Sequence, residues 1–330
     1  MRLSKESIRH GSQASHELLE TLRNEAGALG LSCMGVADAR CLPDAHQLEA
    51  WLERGYHAGM EYMGRLRAMR LNPEYFFPGT QSILCVAVNY YVSDHEVDAA
   101  PSAADQTRPK VAHYARGCDY HNVLRSKLHL LLQRIQAVVP GIRGRVAVDT
   151  APVLERYWAA QAGLGWIGRN GLLIVPSVGS WVFLGEVFLD VPLPPGRPIP
   201  NRCGSCDRCL NACPTEALTR THGLDAGRCI AYWTVEHKGA FPPEAPPISP
   251  WLFGCDACQE VCPWNRSAPE TTEPAFEPVW TNGPQSLGDW RRVDEREFDQ
   301  YLAQTAMERA GFEGLTRNLC RLTDEHTRAS

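Results

Sequence analysis

Eight cysteines between residues 203 and 262 have the types and spacing of an iron–sulfur ligand set. The first run, Cys203-Gly-Ser-Cys206-Asp-Arg-Cys209-Leu-Asn-Ala-Cys213-Pro214, follows the pattern C-x2-C-x2-C-x3-C-P. In that pattern three thiolates take one corner each of a [4Fe–4S] cube and the fourth crosses to a second cube. The second run, Cys255-Asp-Ala-Cys258-Gln-Glu-Val-Cys262-Pro263, is one cysteine shorter. The crossing rule assigns Cys203, Cys206, Cys209 and Cys262 to one cluster and Cys213, Cys255 and Cys258 to the other. That second set needs one more thiolate, and Cys229, between the runs, is the candidate. Zinc knuckles built from C-x2-C pairs, and disulfides, are the alternatives. A zinc site uses four thiolates rather than eight, and three cysteines at intervals of two residues suit a cube corner better than a tetrahedron.

The rest of the chain must hold these thiols and whatever they serve. With 330 residues and 44% hydrophobic content it is long enough for two domains with cores of their own. No apolar run approaches the roughly 18 to 20 residues of a bilayer span, and Met1 to His10 lacks the apolar centre of a signal peptide. Thirteen cysteines without an export signal point to a reducing, cytoplasmic setting. A net charge of −5 excludes a global basic field but leaves room for a local basic face.

Apolar periodicity predicts a helix over 13–29 closed by Gly30, a strand over Leu31 to Ala37, and a helical pattern from about His46 to Met63 interrupted near Gly55 and Gly59. Arg65, Arg67 and Arg70 precede Asn72-Pro73, where helix should stop; they read as a solvated face or as contacts to a phosphate. Ser82 to Tyr91 is a strand apolar enough to be buried on both faces, and Val97 to Pro109 reads as a surface loop. The polar and aromatic stretch His113 to His121 opens a helix with Leu124, Leu128, Leu131 and Ile135 on one stripe. Arg145 to Val148 is a short strand ending at Asp149-Thr150. A helix from about Pro152 to Ala162 and strands over Leu172 to Val175 and Trp181 to Asp190 follow. Five prolines in residues 191 to 201 mark a linker, which puts a domain boundary near 195. Helices alternating with apolar strands before it indicate an α/β sandwich.

Gly163-Leu-Gly165-Trp-Ile-Gly168 matches G-x-G-x-x-G. A dinucleotide fingerprint must follow a strand and open a helix, so that the pyrophosphate meets the helix N-terminus. Here the match follows a helical stretch and leads into a strand, which argues against a Rossmann site. Asp149 has two readings on its residues alone, a cap for the helix beginning near Pro152 and a proton donor at the end of a strand.

Together with the cysteine runs, several long motifs occur in order: Ala115-Arg-Gly-Cys-Asp119-Tyr-His121, Asp149-Thr-Ala-Pro-Val-Leu-Glu-Arg156, Gly165-Trp-Ile-Gly-Arg-Asn170, Gly179-Ser-Trp-Val-Phe-Leu-Gly-Glu186 and Trp233-Thr-Val-Glu-His237-Lys-Gly239. With these the chain resembles the epoxyqueuosine reductases over nearly its whole length. It departs from them at Arg169-Asn170-Gly171, where the family more often has Lys, then Asn or His, then Thr, and in a longer loop at 93 to 109.

The resemblance implies an α/β fold class, a nitroreductase-like α/β cobalamin-binding domain followed by a ferredoxin-like domain with two [4Fe–4S] clusters. The expected division is a catalytic domain over 1–195, a cluster domain over 196–280 and a helical tail over 281–330. The implied reaction reduces the epoxide of epoxyqueuosine in a tRNA anticodon loop to queuosine, using cobalamin and electrons passed through the clusters. Asp149 is then the proton donor, and Arg70, His121, Asp149, Gly168, Arg169, Asn170 and Ser180 are the expected cobalamin contacts. The family's cobalamin has no protein imidazole beneath cobalt, and no D-x-H-x-x-G motif occurs here. Expected partners are tRNA, contacted through His237 and Lys238, and an external low-potential electron donor; the chain is expected to be a monomer away from membranes. The tail arginines Arg291, Arg292, Arg317 and Arg321 are further candidates for phosphate contact, and Trp233 or Trp264 for base stacking. Two rival readings are a reductive-dehalogenase-like enzyme acting on a small molecule and a non-catalytic two-cluster electron carrier.

Overall fold

The computed structural model describes residues 4–10, 12–31, 33–93, 108–221, 223–279, 284, 286–302 and 304–329. The loop expected at 97–109 therefore lies outside the described residues except for its last two positions. The chain forms two compact units. The first comprises Met1–Glu53, Tyr62–Asn89 and His121–Cys206, and the second Arg54–Glu61, Tyr90–Tyr120 and Asp207–Ser330.

The first unit is built on a four-stranded sheet. Its strands are β1 (Cys33–Asp38), β2 (Ser82–Asn89), β3 (Gly144–Ala147) and β4 (Val182–Leu189), in the spatial order β1-β2-β4-β3 and antiparallel throughout. β2 and β4 are the two central strands, which is why both read as near-continuous apolar runs. Successive side chains point to opposite faces. Ile83, Cys85 and Ala87 of β2 and Leu184 and Phe188 of β4 share one buried cluster with Ala37 of β1 and Ala147 of β3.

Three helices accompany this sheet. α1 (Ser12–Ala28) buries Leu18, Leu19, Leu22 and Ala26, and ends as expected at Gly30, whose φ of +75° suits glycine. α2 (Tyr120–Val138) buries Leu124, Leu128, Leu131 and Ile135. It approaches β4 so closely that a Cβ on Gly185 would stand 2.7 Å from Leu128 Cδ1. α3 (Glu155–Gln161) packs on β1, β2 and β4 and inserts Trp158, 1% exposed, into the cluster on the Cys85 face. Trp158→Ala should destabilise this unit by about 3–5 kcal/mol, as a large buried aromatic leaves a cavity, and a urea unfolding curve measures it.

After α3 a small hairpin pairs Trp166–Ile167 with Leu173–Ile174. The G-x-G-x-x-G match runs from just after that helix through the first strand of the hairpin, so no helix N-terminus follows it. A Cβ on Gly165 would stand 2.1 Å from the carbonyl oxygen of Ile174, so the glycine serves a close backbone approach rather than a pyrophosphate.

The second unit joins segments far apart in the chain. Lys110–Val111 pairs in parallel with Trp251–Phe253. The buried carboxylate of Asp256 accepts from the His113 amide at 2.7 Å and meets His113 Nδ1 at 2.9 Å. Helix α4 (Gly311–Ala329) places Leu315, Leu319 and Leu322 in one core with Ile230, Trp233, Ile248, Trp251 and Phe253. Residues expected as a tail thus share a core with the segment expected as the cluster domain, and the division at 195 and 280 runs along the chain where the two units interleave.

Two of the tail arginines are structural. Arg317 donates to the carbonyls of His237 at 2.7 Å, Gly239 at 3.1 Å and Trp233 at 3.0 Å, and its guanidinium lies 4.6 Å from the Phe241 ring centre. Arg321 pairs with Glu325 and donates to the Ala245 carbonyl at 3.0 Å. Beside them the fully buried Asn318 donates to the carbonyls of Thr234 and Leu252, at 2.9 Å each. Buried carbonyls require donors, and these side chains supply them. Arg292 is paired with Asp289 one turn away.

Candidate active site

Asp149 follows β3 in a turn whose backbone is left-handed, with φ of +46°. For a residue other than glycine such a conformation costs about 1–3 kcal/mol and persists only where neighbours hold it. The His121 side chain, 4% exposed at the start of α2, places Nε2 2.8 Å from Asp149 Oδ2. The Asp149 carboxyl itself is 49% exposed, so it is held from one side and open on the other. Its amide donates to Glu155 Oε1 at the first residue of α3. The capping reading of Asp149 does not fit this arrangement, since α3 begins only at Glu155 and its N-cap position is Leu154.

Behind the turn lies a group of carboxyls that sequence reasoning left without a role. Glu186 of β4 stands opposite Cys85 of β2 and Ala147 of β3, on the face covered by α3. It is fully buried, and neither of its oxygens has a hydrogen-bond partner among the described residues. Burial raises its pKa well above the usual carboxylate range, and the charges of Glu155 and Asp149 raise it further. Glu155 is pushed up to about 8, first by burial of its carboxyl and then by Asp149; the amide of Asp149, Arg156 and His121 act the other way. Cys85 is raised by burial and by both glutamates.

Arg70, 6% exposed, completes this group. Its guanidinium lies 5.9 Å from the Tyr62 ring centre and is drawn electrostatically toward Glu155 and Asp149, while burial lowers its pKa. Its Nε has no hydrogen-bond partner among the described residues, and neither has Nδ2 of Asn170, also 6% exposed. Buried donors of this kind are ordinarily satisfied, so both residues suit a ligand rich in acceptor oxygens. Asn170 shares a tight turn with Gly168 and Arg169, where Gly168 donates to the Leu172 carbonyl at 2.8 Å. Arg156 of α3 donates to the Gly171 carbonyl of the same turn. Arg169 reaches the Gly204 carbonyl at 2.6 Å, and Ser180 is buried just before β4. The structure therefore brings Arg70, His121 and Asp149 together, places Gly168, Arg169 and Asn170 on one turn tied to α3, and leaves Ser180 on a separate turn.

In the second unit, Cys213, Cys229, Cys255 and Cys258 feel one another's charge. Burial raises the thiol pKa of Cys229, Cys255 and Cys258; Cys213 raises Cys229 and Cys255, Cys229 raises Cys255 and Cys258, and Cys255 reaches about 12. All four are free thiols. Backbone amides point at three of the sulfurs: Ala217 N at 3.2 Å from Cys213, Ala231 and Tyr232 at Cys229, and Ala257 at Cys255. The thiols of Cys229, Cys255 and Cys258 resist ionisation, and bound iron reverses that by taking them as thiolates, whose charge the amides also favour. Among the described residues no three His, Cys, Asp or Glu side chains converge on a single metal ion. Thiolates around a cube each bind a different iron and need not converge so closely. Of the candidate RNA contacts, His237 Nε2 lies 3.0 Å from the Ala240 carbonyl, with its ring stacked on Phe241, and Lys238 Nζ lies 3.3 Å from the Arg309 carbonyl. Trp233 is buried, with its indole N–H on the Gly227 carbonyl at 2.8 Å, which makes it a packing residue rather than a stacking platform.

No helix among the described residues is long and apolar enough to cross a membrane. Residues 70–150 match the family model described as epoxyqueuosine reductase QueG, DUF1730, and residues 202–265 match the model of a 4Fe-4S double cluster binding domain, which spans all eight of the clustered cysteines. An epoxyqueuosine reductase of Leadbetterella byssophila is 40% identical over 301 residues, 90% of this chain and 96% of the relative. A crystal structure of epoxyqueuosine reductase with an epoxyqueuosine-modified tRNA-Tyr stem loop aligns with a TM-score of 0.83 at 31% identity, covering 93% of this chain and 81% of that one. An epoxyqueuosine reductase from Bacillus subtilis, solved with an aspartate-bearing catalytic loop swung out of the active site, gives 0.83 at 30% identity over the same shares. On the identity and length of these matches, the chain belongs to the epoxyqueuosine reductase family.

Proposed function

We propose that the chain reduces the epoxide of epoxyqueuosine in a tRNA anticodon loop to the alkene of queuosine. The observation that carries this reading is Asp149, a half-exposed carboxyl held in a left-handed turn by a buried histidine. An electron carrier needs no such group. Opening an epoxide to an alkene consumes two electrons and two protons and releases water. The departing oxygen is a poor leaving group as an alkoxide, so an acid must protonate it. Asp149 is that acid, and His121 holds its carboxyl and is placed to return a proton to it.

Cys203, Cys206, Cys209 and Cys262 hold one [4Fe–4S] cluster, and Cys213, Cys229, Cys255 and Cys258 the other. Cobalamin, when bound, supplies a strongly reducing centre for the carbon–oxygen bond. Arg70 and Asn170 offer it buried donors without partners, and Gly168, Arg169 and Ser180, with His121 and Asp149, complete the proposed contacts. The catalytic part lies within 1–195 and the clusters within 196–280. His237 and Lys238 contact the tRNA backbone; the solved relative is bound to an epoxyqueuosine-modified tRNA stem loop. The chain works as a cytoplasmic monomer fed by an external low-potential donor.

The test is anaerobic turnover of reconstituted protein with cobalamin, a low-potential reductant and tRNA bearing epoxyqueuosine, with the digested nucleosides analysed by mass. Queuosine formation that depends on cobalamin is the expected result. Loaded protein that forms none would transfer the reading to a reductase of small molecules.

A further inference from the structure

We propose that Glu155 is a positioning residue for Asp149: its carboxyl accepts the Asp149 amide proton, holds the turn in its left-handed conformation, and releases it on ionising. This inference rests on the reading of Asp149 as the proton donor. The geometry has three parts. The turn is strained at Asp149 itself, so an outside group must hold it. Glu155 supplies an acceptor for the amide of that residue, from a helix that is itself anchored. Trp158 of that helix is buried, Tyr157 donates to the Cys41 carbonyl at 2.8 Å, and Arg156 donates to the Gly171 carbonyl. Finally, Glu186 lies in the sheet beneath, fully buried, with no partner among the described residues to neutralise it.

The charges facing Glu155 explain why its ionisation opposes the latch. Burial and then the charge of Asp149 on the turn disfavour a negative charge on Glu155, and that charge in turn raises the buried Glu186 on β4 and Cys85 on β2. His121 on α2, Arg156 on α3 and Arg70 on the short helix Arg67–Leu71 favour the charge on Glu155. Burial and Asp149 prevail, so Glu155 is raised to about 8. The latched state thus holds the Glu155 proton more tightly than water does. Its stability falls as pH rises from the ordinary glutamate value toward 8, and is lowest above that. Below this window a neutral carboxyl accepts from the Asp149 amide through its carbonyl oxygen; above it, two carboxylates face each other. The catalytic loop that is swung out in the solved Bacillus subtilis relative is of the kind such a latch would hold.

The experiment compares wild type, E155A and E155Q between about pH 6 and about pH 9.5, by anaerobic turnover and by hydrogen exchange of the peptide covering residues 147–151. E155A should lose roughly tenfold in kcat with KM unchanged, the worth of about one hydrogen bond, and should exchange faster at the turn. E155Q keeps an acceptor and cannot ionise, so it should recover most of that loss and lack the alkaline fall near pH 8 seen in wild type. Unaltered exchange at the turn in E155A would overturn the proposal, and so would an alkaline fall that persists in E155Q. Hydrogen exchange reads the latch without turnover. A wild type that forms no queuosine but shows the expected exchange pattern would uphold the latch and refute the substrate reading.

Discussion

Asp149→Asn should reduce turnover of epoxyqueuosine-bearing tRNA by roughly 10²- to 10⁴-fold, the usual worth of a positioned general acid, while leaving fold and cofactor loading intact. The substitution preserves size, and the amide can still bond His121 Nε2, which lies 2.8 Å from Oδ2 in the wild type. It also keeps the backbone amide that donates to Glu155. What it removes is the transferable proton. Because the side chain is 49% exposed, no core contact is lost, and the expected effect on the unfolding midpoint is small. Single-turnover kinetics with fully reduced protein isolate this step from electron delivery. A drop in kcat with KM unchanged marks a proton given in the transition state. If Asp149→Asn turns over at the wild-type rate with cobalamin bound, the proton comes from another group, and His121 is the next to replace.

Cysteine spacing made the metal chemistry legible, because a ligand run within one short segment is fixed by covalent geometry and needs no tertiary information. The motif around Asp149 was legible through resemblance, whereas its partners at Glu155 and Glu186 were not assigned a role. Their proximity depends on the register of β4 against β2 and β3, pairings of residues about a hundred positions or fewer apart that periodicity alone does not encode. A signal was present: Glu186 interrupts the apolar run Val182–Leu189, and a charged residue in a central strand requires a reason. The interleaving of the two units was hidden for the same cause, since Lys110–Val111 finds its partner in Trp251–Phe253. The arginines of the tail illustrate the limit of charge reading. Arg317 and Arg321 look in sequence like a basic face, and in the fold they serve carbonyl groups of the segment 233–246.

Cys229→Ser should cost the protein one of its two clusters, so that iron and acid-labile sulfide fall by about half. Cys229 is the proposed ligand for the position that spacing alone left open, and it lies outside both runs. Its thiol is raised by burial and by Cys213, and it in turn raises Cys255 and Cys258, on the second of which Cys209 of the other proposed set also acts. Serine is nearly isosteric, yet its hydroxyl is a far harder ligand than a thiolate and is not ionised at neutral pH, so the cube loses a corner. Turnover should be lost with it, because each cluster passes one electron at a time and a broken relay strands the second. Cys320→Ser, at an exposed position on α4, is the matched control and should keep full metal content. The informative comparison is between metal content and cofactor binding. If Cys229→Ser loses half its sulfide but still binds cobalamin, the two cofactors load independently and the electron path is the function lost. Retention of full sulfide would instead remove Cys229 from the ligand set and require another donor to complete the group formed with Cys213, Cys255 and Cys258.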